Sequence, residues 1–246
     1  MLNTRQQGGS IGAVVVTYKT PAEQLRRCLE SLKQNNVNDV IVISNDKNNV
    51  GFAAAANAGA KKLTNELILF INPDAELIPS TIYKAIKLLR NKPRVGIVGL
   101  MLCDFDYKEE DNCYGSPVTP MSLYLRHIIP KINLSKSNEV GWVSGGAMIV
   151  RRSMFNALSG FDSQFFLYWE DVDLCRRAHQ DGWAVCILPS VKVMHERGAS
   201  LHDLKQKTVF YDQSADKFFH KHYSKSIWLF QRYSRRLYRL LSQSVD

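Results

Sequence analysis

The chain has 246 residues, 45% of them apolar and 22% charged, with a formal net charge of +9. That composition suits one large α/β domain or two small ones with a full core, and no apolar run approaches the ~18 residues needed to span a bilayer. A transmembrane protein, a secreted mini-protein and a disordered tail are excluded on these grounds.

The opening MLNTRQQGGS is polar and lacks the apolar core of a signal peptide, so the expected compartment is the cytoplasm. Cys28, Cys103, Cys113, Cys175 and Cys186 are odd in number and contain no CxxC pair. This argues against a disulfide framework and against a structural zinc site. From Arg197 onward ten Lys/Arg stand against four Asp/Glu, so this last fifth carries +6 of the net charge. A basic face meets nucleic acid, anionic lipid or a phosphorylated substrate, and charge alone does not choose. No zinc-finger, RNP-like or helix-turn-helix pattern accompanies it, so no nucleic-acid partner is expected.

Residues 1–10 read as a loose lead-in. Residues 13–17 (AVVVT) are a continuous β-branched run, the mark of a strand buried on both faces of a parallel sheet. Pro21 opens a helix through about Gln34, with Leu25, Cys28, Leu29 and Leu32 on one face. Residues 40–43 form a second strand, followed by the polar turn SNDKNN; residues 51–63 form an Ala-rich helix. Leu67–Ile71 is a third strand ending in Asn72-Pro73-Asp74; a helix from Pro79 to about Arg90 and a strand at 95–102 follow. Residues 103–139 have weak periodicity and read as a long connection. Residues 140–150 read as one strand containing Ser144-Gly145-Gly146-Ala147, Glu170–Gln180 as a helix, and 184–188 and 191–195 as two short strands. The alternation predicts an α/β fold, a mostly parallel sheet flanked by helices. Ligands of such sheets sit beyond the carboxyl ends of the strands, where Thr17-Tyr18, residues 44–46 and residues 72–74 fall.

Three groups of residues carry candidate chemistry. A carboxylate just past a buried strand, as at Asp74, can hold a divalent cation that grips a diphosphate, since Mg²⁺ keeps several waters and needs only one or two protein ligands. Taken alone, Asp74 reads first as a turn-former before the helix at Pro79. In YWEDVDLCRR (168–177), three acids early and two arginines late complement a helix dipole. The aromatics ahead of Glu170 and Asp171 can also make a partly dry pocket in which a carboxylate acts as general base. His195 ends an apolar strand and is the best second ligand if Asp74 holds a metal. Gly145-Gly146 and Gly160-Phe161-Asp162 mark close backbone approach to a ligand or to another strand.

The order of these segments is more specific than any one of them. VVVTY, NVGFAAAANAG, LFINPDAEL and the run from GGAMIVRRSMF to VKVMH resemble family 2 glycosyltransferases of the GT-A fold, over about residues 12–200. The likeness over 145–195 is greatest to the rhamnosyltransferase branch that builds bacterial O-antigens and related polysaccharides. The resemblance implies an inverting transfer from a nucleotide-sugar, dTDP-rhamnose in that branch, with Mg²⁺ or Mn²⁺ as cofactor. It matches Asp74 to the last acid of a DxD-type motif, with Asn72 where many members carry the first acid. It matches Asp171 to the base that deprotonates the acceptor hydroxyl, with Glu170 shaping the site, and His195 to a histidine that completes the metal shell. Thr17 and Tyr18 match the strand end flanking the nucleotide, and Gly145 and Gly146 the strand lining the donor sugar. Relatives usually carry two strands between the first helix and the NxGFAxxxN segment, the first ending in an acid that holds the nucleobase. Here one strand stands there, and Asp46 is the candidate replacement. The same fold with a UDP-sugar donor, or a non-catalytic binding subunit, is the alternative.

A catalytic domain is therefore expected over 1–200, with a basic helical extension over 201–246. Within it, residues 226–241 set Trp228, Leu229, Leu237, Leu240 and Leu241 among Arg232, Arg235, Arg236 and Arg239. Such a segment either lies on an anionic membrane surface or docks its apolar side on the catalytic domain. Membrane contact at the inner face of the cytoplasmic membrane would suit a lipid-diphosphate-linked sugar acceptor, which the resemblance implies.

Overall fold

A computed structural model describes residues 10–122, 138–196 and 204–242. The lead-in before Ser10, part of the long connection and the expected domain boundary near residue 200 lie outside the described residues, as do the side chains of Arg239, Leu240 and Leu241.

Two of the buried apolar runs pair side by side in the sheet. Strands β1 (Ile11–Thr17) and β3 (Leu67–Ile71) lie parallel with Val15 opposite Ile71, and β2 (Asp39–Ser44) flanks β1 with Val15 opposite Val42. Helix α1 (Ala22–Gln34) follows Pro21, whose φ of −56° suits a helix entry. Helix α2 (Phe52–Lys62) follows Gly51, where φ is +83° and an added Cβ would lie 2.4 Å from the Phe166 carbonyl oxygen, so only glycine fits. Next come β4 (Ala75–Leu77), α3 (Tyr83–Asn91), β5 (Val95–Cys103), β6 (Tyr114–Gly115), β7 (Trp142–Val143), β8 (Ala147–Arg151) and α4 (Arg152–Ala157). Helix α5 (Glu170–Gln180) and β9 (Ala184–His195) complete the sheet, and α6 (Leu204–His222) and α7 (Lys225–Ser242) end the described chain.

The strand order is β2-β1-β3-β8-β5-β9-β4. Strand β8 runs antiparallel to both neighbours, and β4 antiparallel to β9, so five of the seven strands share one direction. Four sequence expectations are corrected. Helix α3 begins at Tyr83 rather than Pro79, because Ser80 takes a positive φ of 59° and Asn35 Oδ1 accepts the Thr81 N–H at 3.1 Å. The expected 140–150 strand breaks at Ser144–Gly146, where the backbone turns toward the candidate site. The two short strands at 184–195 are one, β9, whose irregularity is absorbed as a register shift opposite Leu100 and Met101. Strand β4 was not expected at all.

One apolar cluster fills both faces of the sheet. A second is separate: Phe165 and Trp169, just before α5, pack against Ala215, Phe218 and Phe219 of α6, with Trp228 of α7 at the margin. The C-terminal helices thus bury their apolar side on the segment that leads into α5. Among the described residues no helix is long and apolar enough to cross a membrane.

Candidate active site

Asp74 occupies the turn between β3 and β4, and its surroundings are set by strand register. Pairing of β4 with β9 puts Ala75 opposite His195, and the Asp74 carbonyl accepts the Glu196 N–H at 3.0 Å. This brings His195 Nε2 to 3.4 Å from Asp74 Oδ1, with both side chains largely buried. Neither of these two buried atoms has a hydrogen-bond partner. The other ring nitrogen, Nδ1, lies 2.8 Å from Glu110 Oε1. Burial opposes charge on the ring, but the Asp74 and Glu110 carboxylates outweigh it and raise His195 to about 9 without a metal, so a cation at Nε2 would displace a proton.

The pair fits a divalent cation. Two ligands each about 2.1 Å from an octahedral ion sit roughly 3 Å apart, near the spacing seen, and the two orphaned atoms face each other. An oxygen with an imidazole nitrogen is a donor set that Mn²⁺ accepts. Among the described residues no three His, Cys, Asp or Glu side chains converge as a complete metal cage, so waters and ligand oxygens would fill the remaining positions. Asn72 offers no second carboxylate. Its N–H donates to the Gly146 carbonyl at 2.9 Å, and its own carbonyl accepts the Ala75 N–H and the Cys28 thiol.

Asp171 stands in the first turn of α5. Its Oδ2 accepts the Gly145 N–H and its Oδ1 the Val172 N–H, both at 2.8 Å. Burial raises its pKa, and those backbone bonds hold the rise back. Glu170 is only 5% exposed and its Oε2 has no partner. Burial first, then the adjacent Asp171 charge, push it well above the usual carboxylate range. An added Cβ at Gly145 would lie 3.6 Å from Asp171 Oδ2, and one at Gly146 would lie 3.6 Å from Asn72 Nδ2. The line Asn72–Gly146–Gly145–Asp171 is thus continuous through hydrogen bonds and one peptide link, and it accounts for the break between β7 and β8.

The entry to α5 is strained. Tyr168 and Trp169 both hold positive φ, 66° and 70°, at a cost of about 1–3 kcal/mol each. Trp169, packed against Phe218 and Phe219, fixes the bend. Asp173, fully buried two residues after Asp171, accepts from His222 at 2.7 Å, Lys221 at 2.8 Å and Arg177 at 2.7 Å. Burial alone would raise its pKa, but these partners bring it down to about 2. Helix α5 is thereby fastened to α6.

Thr17, Tyr18 and Asp46 gather at the carboxyl ends of β1 and β2. The Thr17 carbonyl accepts the Asn45 N–H at 2.8 Å; Asp46 accepts the Lys19 N–H at 2.5 Å on Oδ1 and the Ser44 hydroxyl at 2.8 Å on Oδ2. These bonds hold the Asp46 carboxyl below its usual range and brace the loop after β1. Because Val15 lies opposite Ile71, this loop borders residues 72–74 at the same sheet edge. The one residue at the site that sequence reasoning missed is Glu110. It lies in the aperiodic connection, 85 positions from His195, and no local pattern marks it.

Residues 13–209 match the family described as glycosyltransferase-like family 2. The N-acetylglucosaminyl-diphospho-decaprenol L-rhamnosyltransferase of Mycobacterium tuberculosis is 26% identical over 176 residues, 62% of this chain and 57% of that protein. The rhamnosyltransferase WbbL of Escherichia coli K12 is 28% identical over 139 residues, covering 53% of this chain and 52% of its own length. The matches thus span about half of these curated relatives. Among solved structures, the Pyrobaculum calidifontis mannosyltransferase PcManGT, in complex with GDP-Man and Mn²⁺, superposes with a TM-score of 0.60 at 16% identity, covering 93% of this chain and 70% of that one. GalNAc-T7 with UDP, GalNAc and Mn²⁺ gives 0.57 at 13% identity, covering 76% of this chain and 43% of that one. With residues 13–209 matched and a GT-A architecture shared with both solved structures, the chain belongs to glycosyltransferase-like family 2.

Proposed function

We propose that the chain is an inverting glycosyltransferase that moves rhamnose from dTDP-rhamnose to a lipid-diphosphate-linked sugar in cell-surface polysaccharide synthesis. The observation that carries this reading is the pairing, along one sheet edge, of the facing Asp74–His195 pair with an Asp171 carboxyl held by the Gly145 N–H. The names of the rhamnosyltransferase relatives supply the donor sugar, and that of the M. tuberculosis relative the lipid-diphosphate acceptor.

Asp74 and His195 would hold Mg²⁺ or Mn²⁺, which when bound neutralises charge on the departing diphosphate. The backbone at Gly145 and Gly146 leaves room for the donor sugar, and Thr17, Tyr18 and Asp46 border the nucleotide. Asp171 orients the acceptor hydroxyl and takes its proton as the acceptor oxygen bonds to the anomeric carbon and the bond to diphosphate breaks on the opposite face, so the configuration inverts. A carboxylate of modest basicity suffices when the proton moves late. Glu170, buried beside Asp171, shapes that turn.

The test is a panel of dTDP- and UDP-sugars, with and without Mn²⁺, read by nucleoside-diphosphate release. Metal-dependent release from dTDP-rhamnose, lost in Asp74→Ala, is the expected result. Release from a UDP-sugar alone would replace the donor. Silence together with no calorimetric binding of any nucleotide would leave a binding subunit.

Peripheral membrane contact is the second part of the proposal, with a change in the residues assigned to it. Trp228 meets His220 edge to face with centroids 4.8 Å apart, and Arg232 and Arg235 pair with Asp216, so these face the protein. The outward stripe of α7 is instead Phe230, Tyr233 and Leu237, which are 62%, 63% and 58% exposed, with Arg236 also outward. An amphipathic helix of this kind binds anionic lipid through its apolar stripe. Replacing all three by serine should abolish co-sedimentation with phosphatidylglycerol vesicles; sedimentation unchanged in that variant would discard the membrane face.

A further inference from the structure

His195 has two ring nitrogens, and the fold treats them differently. Nε2 faces Asp74 Oδ1 at 3.4 Å with no hydrogen bond, while Nδ1 lies 2.8 Å from Glu110 Oε1. An ionised carboxylate only accepts hydrogen bonds, so the proton on that side belongs to Nδ1. The Glu110 side chain is 10% exposed and its main chain is pinned at both ends: its N–H donates to the Leu102 carbonyl at 2.9 Å, and its carbonyl accepts the Cys113 thiol at 3.2 Å. A buried acid is thus fixed firmly in an otherwise aperiodic connection, with its Oε1 held against the imidazole.

We propose that Glu110 is a positioning residue that holds the Nδ1 proton of His195 and thereby presents the Nε2 lone pair to a divalent cation shared with Asp74. The inference rests on the metal reading of the Asp74–His195 pair. A carboxylate behind a ligating histidine fixes the tautomer and ring orientation and makes the other nitrogen a better donor; loss of such a partner commonly weakens metal binding by about 10–100-fold. Glu110 lies on the far side of the ring from Asp74, so it acts through His195 and not on the cation.

The experiment titrates MnCl₂ into the full chain with dTDP present, following free Mn²⁺ by electron paramagnetic resonance. Glu110→Ala should weaken binding about 10–100-fold. Glu110→Gln should lie between it and the parent, because a carboxamide oxygen still accepts from Nδ1 but carries no charge. In a His195→Ala background, adding Glu110→Ala should change Mn²⁺ affinity by less than about twofold, as for a residue that acts only through the ring. Calorimetric binding of dTDP without metal checks that each variant is folded. Parent-like Mn²⁺ affinity in Glu110→Ala, or the same loss with and without His195, would overturn the role of Glu110 while leaving the metal pair in place. A parent chain that takes up no Mn²⁺ would overturn the metal pair and Glu110 with it.

Discussion

The two ends of the candidate site are held by different kinds of structure. The Asp74–His195 end is made by backbone register: β4 pairs with β9, Ala75 falls opposite His195, and the two side chains meet because the strands do. The Asp171 end is made by side chains and strain: two left-handed residues turn the chain into α5, a backbone N–H holds the carboxylate, and a buried ion cluster two residues on ties the helix to α6. A register-built site resists single substitutions in its neighbours, whereas a helix held by one buried charge depends on that charge. The first kind is broken at its ligands, the second also at its fastenings.

The sharpest way to separate chemistry from support at the base end is Asp171→Asn. The carboxamide oxygen can still accept the Gly145 N–H, but it takes no proton. Turnover should fall by about 10²–10⁴-fold with calorimetric donor binding unchanged, the range general-base catalysis supplies. If turnover survives, the base lies elsewhere.

A smaller effect, on stability rather than chemistry, is expected at Asp173→Asn. It leaves Lys221, Arg177 and His222 around a buried neutral group. Breaking a buried ion pair at one partner costs about 3–5 kcal/mol, readable as a drop in the denaturation midpoint. The same group sets an acid limit. Its pKa in the fold is about 2, below the unfolded value near 3.9, so its contribution of about 2.6 kcal/mol is complete above pH ~5 and is lost as pH falls through ~2. Denaturation curves between pH 6 and pH 2 should show that loss in the parent and not in Asp173→Asn. A parallel decline in both would assign acid sensitivity to other carboxylates.

The sequence carried the parts of this architecture whose signals are local. AVVVT and LILFI are buried at every position because both faces are covered, and they are two adjacent parallel strands of the sheet. Helix α5 has the predicted bounds, since acids at its start and arginines toward its end mark them. What could not be read is what depends on a distant partner. The three residues Ala-Glu-Leu of β4 have no period of their own and are a strand only because β9 lies beside them. The break between β7 and β8 follows from Asn72 and Asp171 drawing on the backbone of Gly146 and Gly145. In α7, helical periodicity grouped Trp228 with Leu237, yet the one packs inward and the other outward, because the arginines that would have decided the face are claimed by Asp216 of the preceding helix.

The fastening of Asp173 also sets a timetable. Its nearest imidazole, His222, lies 49 positions later in the chain. At about 5–20 residues per second, a ribosome needs several seconds to deliver that stretch, and through that interval the carboxylate two residues after Asp171 has Arg177 but neither Lys221 nor His222. The candidate site is therefore among the last parts of the molecule to become rigid during synthesis, although most of its sheet is already made.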